Sequence, residues 1–172
     1  VLVLTAAFLL LVSSLLIGSF SKAELPPYAL GPTGDTLYTL DASRGDTWRR
    51  FDFARHAVVD SGSWDVAFRR NHIITAPGVG ARDLGPVEFD SVGALPTQGY
   101  SLTVYSRDTT NAGIGRWYEY SMFSHLLTPK PHLYGVRTAA GVLVKFKILS
   151  YYCRDVGAAC YTLRYKTARP RG

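Results

Sequence analysis

The chain has 172 residues, 47% of them hydrophobic and 19% charged, with a net charge of +6. These proportions exclude a disordered or low-complexity chain. Two cysteines exclude a disulfide scaffold, a four-cysteine zinc site and a cysteine-ligated iron–sulfur cluster. There is no C-x-x-C-H haem-attachment motif, no phosphate-binding Gly-Lys-Ser/Thr loop and no H-E-x-x-H pair.

The charge is unevenly placed. Residues 1–21 carry none, and all 19 basic and 13 acidic residues lie from Lys22 onward. Val1 to Phe20 is a run of twenty mainly apolar residues, which at ~1.5 Å each covers the ~30 Å of a bilayer core. The hydroxyls of Thr5, Ser13, Ser14 and Ser19 can bond back to helix carbonyls. A signal peptide needs only about 7–15 apolar residues and a small-residue cleavage site, which Ser21-Lys22-Ala23 would supply. The full span favours a retained transmembrane helix over residues 1–21, with Val1, Phe8, Leu16 and Phe20 as anchor residues. Ala6, Ala7, Ser13, Ser14 and Gly18 offer small side chains for close helix packing.

Residues 22–33 hold Pro26, Pro27, Gly31 and Pro32 and read as a semi-stiff linker. From 34 to 166 the pattern is β: short runs of Val, Ile, Tyr, Phe and Thr between Gly, Pro, Asn and Asp. Expected strands are Thr36–Leu40, Trp48–Phe53, Ala57–Val59, Trp64–Phe68 and His72–Thr75. A hairpin is expected from Tyr134–Thr138, the turn Ala139-Ala140-Gly141, and Val142–Tyr152. Val142, Val144, Phe146 and Ile148 alternate with Leu143, Lys145, Lys147 and Leu149, so one face should meet the core and the other mostly solvent. A last strand covers Cys160–Lys166, and residues 167–172 read as a mobile basic tail. The fold class is therefore all-β: an antiparallel, β-rich globular domain preceded by one transmembrane helix.

Cys153 and Cys160 sit at the facing ends of the last two strands. If those strands pair, the cysteines fall within the separation of about 4.4–6.8 Å that a disulfide needs. A disulfide is expected rather than two buried thiols, because the anchor implies export to an oxidising compartment. That places the chain in the bacterial inner membrane as a single-pass protein with its C-terminal domain in the periplasm.

The body resembles the HmuY-like family of bacterial haem-binding proteins over roughly residues 47–166. The resemblance runs through Trp48-Arg49-Arg50-Phe51-Asp52-Phe53, then Ser63-Trp64-Asp65-Val66-Ala67-Phe68-Arg69-Arg70, Ile73-Ile74-Thr75 and Trp117-Tyr118-Glu119-Tyr120. It is strongest in Tyr134-Gly135-Val136-Arg137-Thr138, the Gly turn, Val144 to Tyr152, and Tyr161–Tyr165. It implies an all-β fold outside the cytoplasm and no catalytic activity. Ala76-Pro77-Gly78 departs from the family's Asn-Gly-Gly-like turn. Leu16-Ile17-Gly18-Ser19 resembles a lipobox with Ser in place of Cys, leaving no thiol to acylate and assigning anchorage to the helix.

Four histidines, His56, His72, His125 and His132, and one thioether, Met122, could ligate haem iron. His125 and His132, near aromatic residues, are the best pair. No nucleophile elbow precedes Ser124-His125, and spacing alone does not bring Asp65 to another carboxylate, so no enzyme is expected. Arg69, Arg70, Lys145 and Lys147 are expected as surface charges suited to an acidic protein face or lipid headgroups, with nucleic acid excluded as a partner by export. The leading expectation is an accessory subunit of a larger membrane complex, docked on other membrane protein subunits and membrane lipid without a cofactor. A photosynthetic reaction-centre–light-harvesting complex is one such setting. The alternative is a haem-binding module in haem acquisition, with His125 and His132 at the cofactor.

Overall fold

The computed structural model describes residues 29–171, apart from 34, 35, 107 and 156. The expected transmembrane helix, with Val1, Phe8, Leu16 and Phe20, and most of the expected linker lie outside them. Among the described residues no helix is long and apolar enough to cross a membrane.

The described chain is built from strands. They are β1 (Gly31–Thr33), β2 (Leu37–Asp41), β3 (Arg49–Asp52), β4 (Ala57–Val59), β5 (Val66–Arg69), β6 (His72–Thr75), β7 (Gly80–Asp83) and β8 (Ala94–Pro96). After them come β9 (Ser101–Val104), β10 (Thr110–Asn111), β11 (Tyr118–Tyr120), β12 (Leu127–Pro129), β13 (Tyr134–Arg137), β14 (Leu143–Tyr152) and β15 (Ala158–Arg171). The larger sheet has the order β1-β2-β15-β14-β13-β7-β9-β10, and a four-stranded sheet has the order β4-β3-β5-β6. Strands β11 and β12 form a separate hairpin. Every pairing is antiparallel except that of β8 with β15.

Period-two alternation places Phe51, Val66 and Phe68 of the smaller sheet against Phe146, Tyr161 and Tyr165 of the larger one. Ring centroids meet across the interface at 4.7 Å for Phe68–Tyr161 and 5.5 Å for Phe51–Tyr165. These are the tilted and edge-on separations that aromatic pairs prefer, and the arrangement is sheet packed on sheet. Trp117 is fully buried, touches Tyr151 and Tyr161, and donates its indole N–H to Asn71 O at 3.0 Å. Tyr161 donates to Arg70 O at 2.7 Å, so the β5–β6 turn is fixed to the core from both sides.

Cys153 and Cys160 are joined by a disulfide with their Cα atoms 4.8 Å apart. It closes the β14–β15 connection beside the register shifts between Ile148 and Tyr152. Three expectations need correction. Residues 167–171 are not a loose tail: Thr167 and Ala168 pair with Val144 and Leu143, and Arg169–Arg171 pair with β8. The end of the 22–33 linker is strand, because Gly31–Thr33 finds a hydrogen-bonded partner in Leu37–Thr39. Lys145 is buried rather than a surface charge. Its ammonium donates to Phe89 O at 2.6 Å and Val92 O at 2.7 Å and lies 4.3 Å from the Phe89 ring centroid.

Candidate functional site

Most large apolar side chains that reach solvent do so from two hairpins. Leu102, Val104 and Tyr105 are exposed on the β9–β10 hairpin, and Tyr120, Met122 and Phe123 on the β11–β12 hairpin. Outside them, among the described residues, only Leu30 and Val142 are exposed to that degree. Single exposed apolar residues are ordinary, whereas a group of them marks a contact surface.

Both hairpins are held rigidly at their bases, and both lean on the β6 region. For β9–β10 the fastening is a buried polar network. Thr75 of β6 donates its backbone N–H to Thr103 Oγ1 at 2.8 Å, and the Asn111 amide donates to Thr75 Oγ1 at 3.0 Å and to Ser101 O at 2.9 Å. The Tyr105 hydroxyl donates to Thr75 O. Gly113 then brings the chain so close to β7 that a Cβ there would lie 2.0 Å from Ala81 O. For β11–β12, the Asn71 amide, next to β6, donates to Tyr118 Oη at 3.1 Å, and Leu127 N–H donates to Tyr152 Oη at 2.8 Å. Strand β6 spans about 10 Å at ~3.3 Å per residue. The two groups of exposed apolar residues therefore belong to hairpins fastened near opposite ends of one short strand.

The β11–β12 tip carries the chemistry. Ser121 N–H bonds Leu126 O and His125 N–H bonds Ser121 O, each at 2.9 Å. The turn places His125 at φ 55°, a left-handed conformation uncommon for a side-chain-bearing residue and frequent at functional turns. Its Nδ1 is hydrogen-bonded to the Tyr120 hydroxyl. His132 follows β12, and its Nδ1 meets both oxygens of Asp83 on β7, at 2.9 and 3.0 Å. In both rings Nδ1 is engaged, and Nε2 has no hydrogen-bond partner among the described residues. That is how proteins fix an imidazole whose other nitrogen serves a metal. The structure thus holds His125 and His132 by different partners on different elements. Met122 is strongly exposed on the same tip as His125. His72 is exposed at the start of β6. His56 is partly buried, with Nδ1 on the Tyr165 hydroxyl.

The exposed Leu102, Val104 and Tyr105 were missed in the sequence. Their strand is short and polar in its alternate positions, and only exposure in the fold sets them apart. A second concave feature, a cleft of roughly 500 Å³, is bordered by Phe53, Trp64, Val144 and Tyr165. Among the described residues no His, Met or Cys lines it. Tyr165, a described lining residue whose phenol is a haem-ligand type, has its hydroxyl on His56. The β11–β12 tip carries an imidazole, a thioether and exposed apolar side chains, the group types that haem takes, and the described lining of the cleft offers neither imidazole nor thioether. Among the described residues no three His, Cys, Asp or Glu cluster as a site for a bare metal ion.

No family model and no curated protein matches the chain. Solved structures do. A candidate HmuY-like haem-binding protein from Bacteroides vulgatus superposes with a TM-score of 0.68 at 16% identity, over 80% of this chain and 97% of that one. The apo form of an HmuY analogue from Tannerella forsythia gives 0.63 at 16% identity, over 78% and 95%. A candidate lipoprotein from Bacteroides fragilis gives 0.64 at 13% identity, over 75% and 88%. The domain is HmuY-like in fold, at low sequence identity to the proteins it resembles.

These likenesses correct two expectations. A chain without a cofactor does not agree with neighbours named for haem binding and as an HmuY analogue. A single-pass inner-membrane placement does not agree with a neighbour described as a lipoprotein, a class held by attached lipid rather than a spanning helix. None of the three is named for a photosynthetic complex, and the accessory-subunit reading yields to the haem alternative.

Proposed function

We propose that this HmuY-like domain is a non-enzymatic haem-binding module that takes haem as cargo at the β9–β10 and β11–β12 hairpins. The observation that carries the reading is the grouping of exposed Leu102, Val104, Tyr105, Tyr120, Met122 and Phe123 on two rigidly fastened hairpins, with His125 on the tip of one. Haem offers an iron that accepts an axial imidazole or thioether and a flat apolar macrocycle that prefers such surroundings. His125 is assigned as a ligand through Nε2, with Tyr120 fixing its ring from Nδ1. Met122 and His132 are the groups from which a second ligand would come. The disulfide suits the oxidising compartment in which such cargo is met.

The test is haemin titration of the full chain, followed in the Soret band. Saturable one-to-one binding is expected, and His125→Ala should weaken it at least tenfold or move the band. Met122→Ala and His132→Ala, compared separately, identify the second ligand. No saturable Soret change in the wild type, or unaltered binding after replacing all three residues, would overturn the proposal.

A further inference from the structure

The cleft between the two sheets lies apart from the hairpins and shares no residue with them. At roughly 500 Å³ it falls within the range of small-molecule sites. Its walls are mostly apolar, from Phe53, Trp64, Ala139, Val142 and Val144.

Two carboxylates border it, brought together by the β3–β5 pairing although they are distant in sequence. Asp52 is provided for: it accepts the Arg55 N–H at 2.9 Å, and the Arg55 guanidinium lies 3.6 Å away. Asp65 is not. It is 9% exposed, and its Oδ2 accepts the Phe53 N–H at 2.9 Å. Its Oδ1 has no hydrogen-bond partner, and no cation pairs with the group among the described residues. Oδ1 is also not among the side-chain atoms sealed from solvent without a partner, so solvent reaches it, and its residue lines the cleft. Lys166 borders the same cleft but pairs with neither carboxylate. A carboxylate buried to this degree without a counter-charge is costly, and an organic cation entering the cleft would supply the missing charge.

We infer that the cleft is a second binding site, selective for a small organic amine whose ammonium meets Asp65 Oδ1 while its apolar body lies along Phe53, Trp64 and Val144. The site does not depend on the haem reading. Burial, with a smaller contribution from the neighbouring Asp52, holds the Asp65 carboxyl above the ordinary carboxylate range. Binding should therefore weaken as acid protonates it. The other ionisable groups facing the cleft are Asp52 under Arg55, Lys166, and Tyr165 with His56 behind it.

Three uncharged or charged relatives serve as probes on the full chain: 2-phenylethylamine, 2-phenylethanol and 3-phenylpropionate. Binding is followed by tryptophan fluorescence, since Trp64 is part of the wall, and by calorimetry. The amine should bind saturably, the alcohol at least tenfold more weakly, and the acid not measurably. Asp65→Asn keeps an acceptor for the Phe53 N–H and should lower amine affinity at least tenfold. Should that variant fold poorly, the wild type decides through pH: amine affinity should fall on acidification while alcohol affinity stays level. Equal binding of amine and alcohol, no saturable amine binding, or pH-independent amine affinity would overturn the inference.

Discussion

The two ends of the aromatic inventory behave in opposite ways. Trp117, Tyr134, Tyr161, Phe51, Phe68 and Phe146 are fully buried, ring against ring, between the sheets. Tyr105, Tyr120 and Phe123, of the same residue types, stand in solvent on hairpins whose bases are hydrogen-bonded to the body. Burial of an aromatic side chain is among the largest favourable contributions in a small domain. Leaving several exposed on rigid supports forgoes that contribution, and the pattern makes sense when another apolar body completes the surface. Composition alone, 13% aromatic, does not separate the two uses; position in the fold does.

The sharpest break on the packing side is Trp117→Ala. The substitution opens a cavity beside Tyr151 and Tyr161 and removes the donor to Asn71 O. The expected loss is about 3–5 kcal/mol, read from the urea midpoint at unchanged slope. Because Asn71 also anchors Tyr118, the variant should loosen the β11–β12 hairpin, visible as faster amide exchange there. A loss under about 1 kcal/mol would mean that the ring is not the keystone described.

Replacing Cys153 and Cys160 by Ser comes next. The disulfide closes a short loop, and loop entropy assigns it about 2–3 kcal/mol. Stability should drop by that amount, while haem affinity should fall by less than about tenfold, because the bridge reaches the β11–β12 hairpin indirectly, through its neighbour Tyr152, whose hydroxyl accepts the Leu127 N–H. An equal loss of haem affinity would tie the two regions together and blur the contrast between them.

A smaller change follows from Asp65. Its folded carboxyl titrates above the ordinary carboxylate range because burial disfavours the charged form. The folded state therefore binds the proton more tightly than the unfolded state. The group's contribution is most favourable below the unfolded value and is lost as pH rises through the raised folded one. Asp65→Asn should remove that part of the pH dependence. The stability difference between variant and wild type should move in the variant's favour from about pH 4 toward neutrality. A difference that is flat with pH would show that the carboxyl is not shifted in the folded protein.

How much of this could be read from the chain depends on what holds each element. His72–Thr75, Ala57–Val59 and the hairpin around Gly141 are legible because β-branched residues are concentrated in them and turn residues bound them. Gly80–Asp83, Ala94–Pro96 and Ser101–Val104 find their partners in β13, β15 and β7; the first two have the composition of loops, and the third is an alternation of four residues, too short to stand out. Residues 167–171 were read as loose for the same reason, since no local pattern announces the β8 edge beside them. Lys145 followed the alternation faithfully, but the loop carrying Phe89 and Val92 covers its face. Among site residues, His125, His132 and Met122 announce themselves by ligand type. The exposed trio on β9–β10 and the unpaired Asp65 do not, because exposure and the absence of a counter-charge are properties of the assembled fold.

The finest test of the comparison changes the hairpin and leaves the core alone. Met122 and Phe123 are each 72% exposed, so replacing both by Ser removes little that folding buried. The expected stability change is within about 0.5 kcal/mol. The pair does supply apolar surface on the tip that carries His125, and a bound macrocycle would cover it. Haem affinity should therefore fall at least tenfold while the urea midpoint barely moves, the reverse of the Cys153/Cys160 variant. If His132 supplies the second ligand, both ligands remain in place and the Soret position of whatever complex forms should stay that of the wild type. If Met122 supplies the second ligand, Phe123→Ser alone should keep the band and lose affinity, whereas Met122→Ser should move the band as well. A double variant that unfolds as easily as Trp117→Ala would show the tip to be part of the core's support. One that binds haem unchanged would show the exposed side chains to have no role in holding it.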